Sequence, residues 1–92
     1  MPRLLEIGKY VIFIWANEAG EPIHIHIAAH RPAANASKLW LTKYGTFIVA
    51  HNKSKIPQRE LNEIIDLLTL QWVYICNEWM KFFSVSELNF YC

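Results

Sequence analysis

Isoleucine and histidine alternate strictly along residues 23–27, and this short run constrains the fold more than any other part of the chain. The isoleucines take the odd positions, and His24 and His26 lie between them. A period of two is the repeat of a β-strand, whose successive side chains point to opposite faces. The run therefore predicts a strand that turns its isoleucines towards a core and its two imidazoles outwards, onto an open face.

Three further segments have the alternation or the β-branched and aromatic composition of strands, and they comprise residues 9–16, 36–42 and 46–51. Turn-forming residues around Gly20 separate residues 9–16 from the alternating run, and those around Pro32 separate that run from residues 36–42. Together the segments predict a three- to four-stranded antiparallel sheet over residues 9–51.

The rest of the chain has the period of a helix. Pro57 suits the first position of a helix, where its missing N–H costs nothing, and neither Gly nor Pro follows before residue 84. Apolar residues recur at steps of three and four, and they are Leu61, Ile64, Ile65, Leu68, Trp72, Ile75, Cys76 and Trp79. This pattern predicts one long amphipathic helix over residues 57–83, with a short tail over residues 84–92.

An unbroken helix of that length would measure about 40 Å, whereas a compact chain of this size has a radius of gyration of about 12 Å. We therefore expect the helix to overhang, to break near Asn77, or to pack against a second copy of the chain. A second apolar stripe, made of Leu67, Leu70 and Tyr74, favours the last of these and predicts a homodimer.

Length and composition bound the class of protein. The 92 residues are 53% hydrophobic, which is enough for one α+β domain over residues 1–92 and too much for a disordered chain. No run of about 18 apolar residues could span a membrane, and no leader-like segment opens the sequence. Two cysteines form no disulfide framework, so we expect a cytoplasmic protein, with Cys76 a buried apolar group rather than a nucleophile.

Charge is unevenly distributed along the chain. Between Pro22 and Arg59 there is no Asp or Glu, but there are six lysines and arginines and all four histidines. The flanking segments are net acidic. Such a basic middle either forms a surface for an anionic partner or is neutralised by the acidic end when the two halves pack together.

The two histidines of the alternating strand are the main candidates for chemistry. Their positions are about 6.5–7 Å apart along the strand. They could make ordinary hydrogen bonds, contact a phosphate or nucleic acid, move protons beside Lys38 or beside Lys53 and Lys55, or share a metal ion with His51 or His30. Because the chain lacks Cys-x-x-Cys and the basic segment lacks carboxylates, we assign no metal, no cofactor and no catalytic residue.

Trp40 lies beside Lys38 and opposite the leucines of its strand. It could stack on a nucleobase, but we favour the interpretation that its indole belongs to a protein interface. The candidate residues for binding a partner protein or RNA are therefore His24, His26, Lys38, Trp40, His51, Lys53 and Lys55.

The order of these features resembles that of the bacterial domain-of-unknown-function family 4160. The resemblance rests on residues 7–10, 17–18, 21–27, 37–41 and 59–61. Its most specific parts are Pro22-x-His24-x-His26 and Lys38-x-Trp40. It implies a small α+β bacterial protein that is often encoded beside another small domain of unknown function, in an arrangement like that of toxin–antitoxin pairs. It implies no activity and no catalytic residue.

We therefore expect a small binding module that engages a partner protein or RNA through a basic face of histidines and tryptophan, as one half of a toxin–antitoxin-like pair. The alternative is a metal-independent ribonuclease that uses His24, His26 and Lys38 for acid–base chemistry.

Overall fold

Each strand of the sheet pairs with the strand that follows it in the chain, and all pairs are antiparallel. The computed structural model describes residues 2–92. The strands are β1 (Arg3–Ile7), β2 (Tyr10–Phe13), β3 (His24–Ala29), β4 (Ser37–Leu41) and β5 (Phe47–His51). The helices are α1 (Gln58–Leu70) and α2 (Trp72–Phe83). The predicted α+β class with an antiparallel sheet is confirmed.

Two details of the predicted fold are wrong. The sheet has five strands rather than three or four, because Arg3–Ile7 forms an additional edge strand beside β2. That segment carries the exposed Arg3 and Glu6 among its apolar residues and is only partly buried, so its sequence lacks the pattern of a buried strand.

The single long helix over residues 57–83 is instead two helices that meet at Gln71. The break lies six residues before the predicted position near Asn77, and neither Gly nor Pro marks it. A tertiary contact holds the start of α2, since the Trp72 indole Nε1–H donates to the Thr42 carbonyl oxygen at 3.1 Å. Such a contact with the sheet cannot be read from helical periodicity.

The core lies between the sheet and the two helices, as the alternation predicted. The isoleucines of residues 23–27 are fully buried together with Leu39 and Leu41 of β4. Leu61, Leu68 and Ile75 cover them from the helices. Each such side chain stabilises the fold by about 1.5–3 kcal/mol relative to an exposed one, so this layer dominates the stability.

The tail returns to the sheet after α2. Ser84 adopts a left-handed conformation (φ 55°) that ends the helix. The carbonyl oxygen of Asn89 then accepts a hydrogen bond from the Ile23 N–H at 2.8 Å, and that of Cys92 accepts one from the Lys43 N–H at 3.1 Å. The tail therefore packs against the start of β3 and the end of β4 without becoming a strand.

The outer surface of the helices is apolar in part. Leu67, Leu70 and Tyr74 are 49%, 80% and 39% exposed, respectively. They form the second stripe noted in the sequence, and the homodimer inferred from it stays a prediction. Within residues 2–92 neither helix has the length and apolar character needed to cross a membrane.

Candidate functional site

His24 and His26 point away from the isoleucine core, but they are not open to solvent. Their exposed fractions are 0% and 6%, so the predicted open histidine face is wrong. The His26 ring stacks on Phe13 with centroids 5.5 Å apart, and the His24 ring meets Trp40 at 5.4 Å and Trp79 at 5.3 Å. Trp79 comes from α2, which we expected to cover only the other face of the sheet.

Glu18, in the connection between β2 and β3, holds both imidazoles. Its Oε1 atom lies 2.7 Å from His24 Nε2 and 2.8 Å from His26 Nε2. The other ring nitrogen of His24, Nδ1, donates to the Pro22 carbonyl oxygen at 2.8 Å. We call Glu18, His24 and His26 the Glu–His–His cluster. The Glu18 side chain is 16% exposed, so the cluster lies just beneath the surface.

The environment of the cluster shifts two of its pKa values. Burial opposes ionisation of Glu18, but the hydrogen bonds with His24 and His26 outweigh it, so the pKa of Glu18 is lower than usual. Burial also lowers the pKa of His26, against the opposing effect of Glu18. The carboxylate is therefore the stable form of Glu18, and the cluster contains a buried anionic oxygen between two imidazole nitrogens.

Lys38 and Trp40 are also engaged within the protein. Lys38 Nζ lies 2.8 Å from Glu21 Oε1 and 4.2 Å from the centroid of the Trp40 ring. The Tyr91 ring from the tail stacks on Trp40, with centroids 4.8 Å apart and an interplanar angle of 7°. Trp40 is thus a half-buried ring beneath Tyr91 rather than an open platform.

His51, Lys53 and Lys55 lie at one end of the sheet. His51 pairs with Lys38 in the β4–β5 register. Ser54, between the two lysines, hydrogen-bonds to Ser37 at the start of β4, which places the turn of residues 52–55 beside that strand.

Lys9 and Arg31 lie at this same end of the sheet. The His30 N–H, just after β3, donates to the Lys9 carbonyl oxygen at 2.6 Å, and this end of β3 pairs with the start of β4. We call Lys9, Arg31, Lys53 and Lys55 the basic end. The seven candidate residues thus divide into four around the cluster and three at or beside the basic end.

The sequence analysis missed Glu18 as a functional residue. It lies in a segment that we assigned to a hairpin loop, outside the basic segment in which we looked for a third ligand. Loop residues have no periodicity that would indicate where their side chains point. The only available signal was its place in the quoted family resemblance, as part of Asn17-Glu18.

Cys76 is buried, as predicted, and burial raises the pKa of its thiol to about 11. A thiol with so high a pKa is almost entirely protonated at neutral pH, and the thiolate is the nucleophilic form. Cys76 is therefore a packing residue rather than a nucleophile.

Most of the chain matches a known family. The model of the family described as Domain of unknown function (DUF4160) matches residues 10–80. No curated protein and no solved structure matches the chain significantly. The matched range contains the whole Glu–His–His cluster and most of the basic end, whereas it excludes β1 and the tail.

Proposed function

Since the chain belongs to the family described as Domain of unknown function (DUF4160), whose description assigns no activity, we propose a function from its surface. The chain is a small bacterial, cytoplasmic binding module that engages an acidic partner protein through the basic end of its sheet. In a toxin–antitoxin-like pair, that partner is the protein encoded beside it.

The observation that carries the proposal is a group of exposed cations without carboxylate partners. Lys9, Arg31, Lys53 and Lys55 are all exposed. Within residues 2–92, none of them takes part in an ion pair. Cations concentrated on one part of a surface attract an oppositely charged partner and orient it during the encounter.

A protein fits this surface better than RNA does. Single-stranded RNA is held by bases that stack on open aromatic rings, whereas the exposed rings of Tyr44 and Tyr91 lie by the β4–β5 turn, at the opposite end of the sheet from the basic end. Affinity for nucleic acid also grows with the number of phosphates that are neutralised, and a chain with a formal net charge of +1 offers few. An acidic protein segment needs only a few matched charges beside apolar contacts.

The alternative, a metal-independent ribonuclease using His24, His26 and Lys38, has weaker support. General acid–base catalysis requires imidazole nitrogens within reach of the substrate, and both Nε2 atoms are bonded to Glu18 beneath the surface. The Lys38 ammonium that would hold the phosphate is paired with Glu21.

Charge reversal at the basic end tests the proposal. We compare Lys53→Glu/Lys55→Glu with Lys43→Glu/Lys81→Glu, which has the same net charge but changes two exposed lysines elsewhere. The probes are a fluorescein-labelled peptide of alternating Glu and Leu and a labelled single-stranded RNA of equal charge. Binding of each probe is measured at low salt by its fluorescence anisotropy. We expect the first variant to lose at least about tenfold in affinity for the peptide, and the second less than about twofold.

Three outcomes contradict the proposal. Equal losses in both variants would mean that only net charge matters. Tighter binding of the RNA than of the peptide would assign the basic end to nucleic acid. Cleavage of the RNA, with a bell-shaped pH profile, would favour the ribonuclease.

A further inference from the structure

We propose that Glu18, His24 and His26 form a binding site for a divalent transition-metal ion of borderline softness, with Zn²⁺ as the best probe. The three candidate ligand atoms lie within 4.8 Å of one another. This site is separate from the basic end, and its proposal does not depend on the binding function above.

The distances require only a small movement to admit an ion. A zinc ion with imidazole and carboxylate ligands at about 2.0–2.2 Å in tetrahedral geometry separates its ligand atoms by about 3.4 Å. Glu18 Oε1 is now 2.7–2.8 Å from the two Nε2 atoms. Glu18 must therefore retreat by less than about 1 Å, and it can do so because it lies in a connection rather than in a strand.

The hydrogen bonds of His24 point to a cation between the rings and the carboxylate. The Pro22 carbonyl only accepts hydrogen bonds, so His24 Nδ1 must carry a proton. In neutral His24 the lone pair of Nε2 then faces the Glu18 oxygen at 2.7 Å, and two lone pairs repel each other. Either a proton or a metal ion must lie between these atoms.

A backbone carbonyl bonded to the outer ring nitrogen is also the usual support of a metal-binding histidine. Such a bond fixes the tautomer and the orientation of the ring and makes the free nitrogen a better ligand. The Pro22 carbonyl gives His24 this support, and burial holds the ring in place. Because a buried imidazolium is costly, a metal ion on neutral imidazole is the alternative that keeps His24 uncharged.

The surroundings determine the class of ion. Two imidazole nitrogens and one carboxylate oxygen suit zinc, cobalt or iron(II), whereas magnesium and calcium prefer oxygen ligands alone. Rings of Phe13, Trp40 and Trp79 enclose the imidazoles. Lys38, whose charge also acts on His26, is paired with Glu21, which reduces its repulsion of an ion. Glu18 is the partly exposed side of the cluster, so water can complete the coordination there.

Cobalt and zinc titrations of chelator-treated protein test the site. The protein carries Cys92→Ser to remove its exposed thiol. We compare Glu18→Gln with Glu63→Gln, which makes the same change at an exposed glutamate of α1. We expect one ion per chain and proton release on binding. Glu18→Gln should weaken binding by at least about tenfold and Glu63→Gln by less than about threefold.

Nitrogen NMR of the histidine rings gives a measurement that needs no ligand variant. On addition of zinc, the Nε2 signals of His24 and His26 should move together, and those of His30 and His51 should not. The proposal is overturned if zinc and cobalt fail to bind at one per chain, if Glu18→Gln binds as well as Glu63→Gln, or if the other two histidines respond instead. The cluster is then an ion pair held by a proton, and the test of the basic end is unaffected.

Discussion

The two faces of β3 are buried to nearly the same extent, but different groups bury them. On one face, Ile25 and Ile27, together with Ile23 just before the strand, are covered by the helices, and apolar contact alone excludes water. On the other face, His24 and His26 are covered by one carboxylate and by aromatic rings from β2, β4 and α2. Covering an apolar face requires only other apolar groups, whereas covering a polar face requires a specific partner for each polar atom.

Shortening a leucine on the helix-covered face should have the largest effect. Leu68 is fully buried and Leu70, two residues later in α1, is 80% exposed. We expect Leu68→Ala to lower the free energy of unfolding by about 2–5 kcal/mol, because it leaves a cavity. Leu70→Ala should change it by less than about 0.5 kcal/mol. Urea unfolding at low protein concentration measures both, and equal losses would show that the helices do not pack on the isoleucine face as described.

Removing the charge of Glu18 should have an intermediate effect on the histidine-bearing face. In metal-free protein, Glu18→Gln keeps an oxygen acceptor but weakens two hydrogen bonds to imidazoles. We expect a loss of about 1–2 kcal/mol in the free energy of unfolding. Glu21→Gln affects a more exposed pair and should cost less than about 1 kcal/mol. A loss at Glu18 no greater than that at Glu21 would mean that the carboxylate does not hold this face.

His51 provides the smallest effect and sharpens the comparison, because it is an imidazole without a carboxylate. Its Nδ1 atom is buried and has no hydrogen-bond partner within residues 2–92. Burial, followed by the charges of Lys53 and Lys38, lowers its pKa below the ordinary 6.5. The unfolded chain therefore binds this proton more readily, and the folded state loses stability as the pH falls below about 6.5.

An NMR titration of the His51 ring measures this shift directly. We expect a midpoint below 6.5, and Lys53→Met should raise it because a neighbouring positive charge is removed. A midpoint at or above the ordinary value would show that the ring is open to water or paired with an anion.

The helix-covered face could be predicted from the sequence because its apolar residues recur at the period of a strand or of a helix. The alternation of residues 23–27 and the stripe from Leu61 to Trp79 each identify their buried side without knowledge of the other. Edge strand β1 was not predicted because an edge strand has no strong hydrophobic pattern. The break at Gln71 was not predicted because the tertiary contact of Trp72 leaves no local signal in the sequence.

The candidate site was predictable only in its two histidines. Their shared face followed from the period of the strand, but their burial depends on Glu18, Trp40 and Trp79, which come from three different parts of the chain. No spacing rule connects a loop carboxylate to a ring contributed by a helix more than fifty residues later. The pairing of Lys38 with Glu21 could not be predicted for the same reason, because Glu21 belongs to the connection before β3.

The placement of these groups along the chain sets an order of events during synthesis. Chains emerge from the ribosome beginning at the N-terminus, so Glu18, His24 and His26 leave the tunnel well before Trp79 does. Until Trp79 emerges, the imidazoles remain hydrated and accessible to ions from the surrounding solution. Trp79 then packs on the His24 ring, so the cluster loses its contact with solvent on that side only late in synthesis.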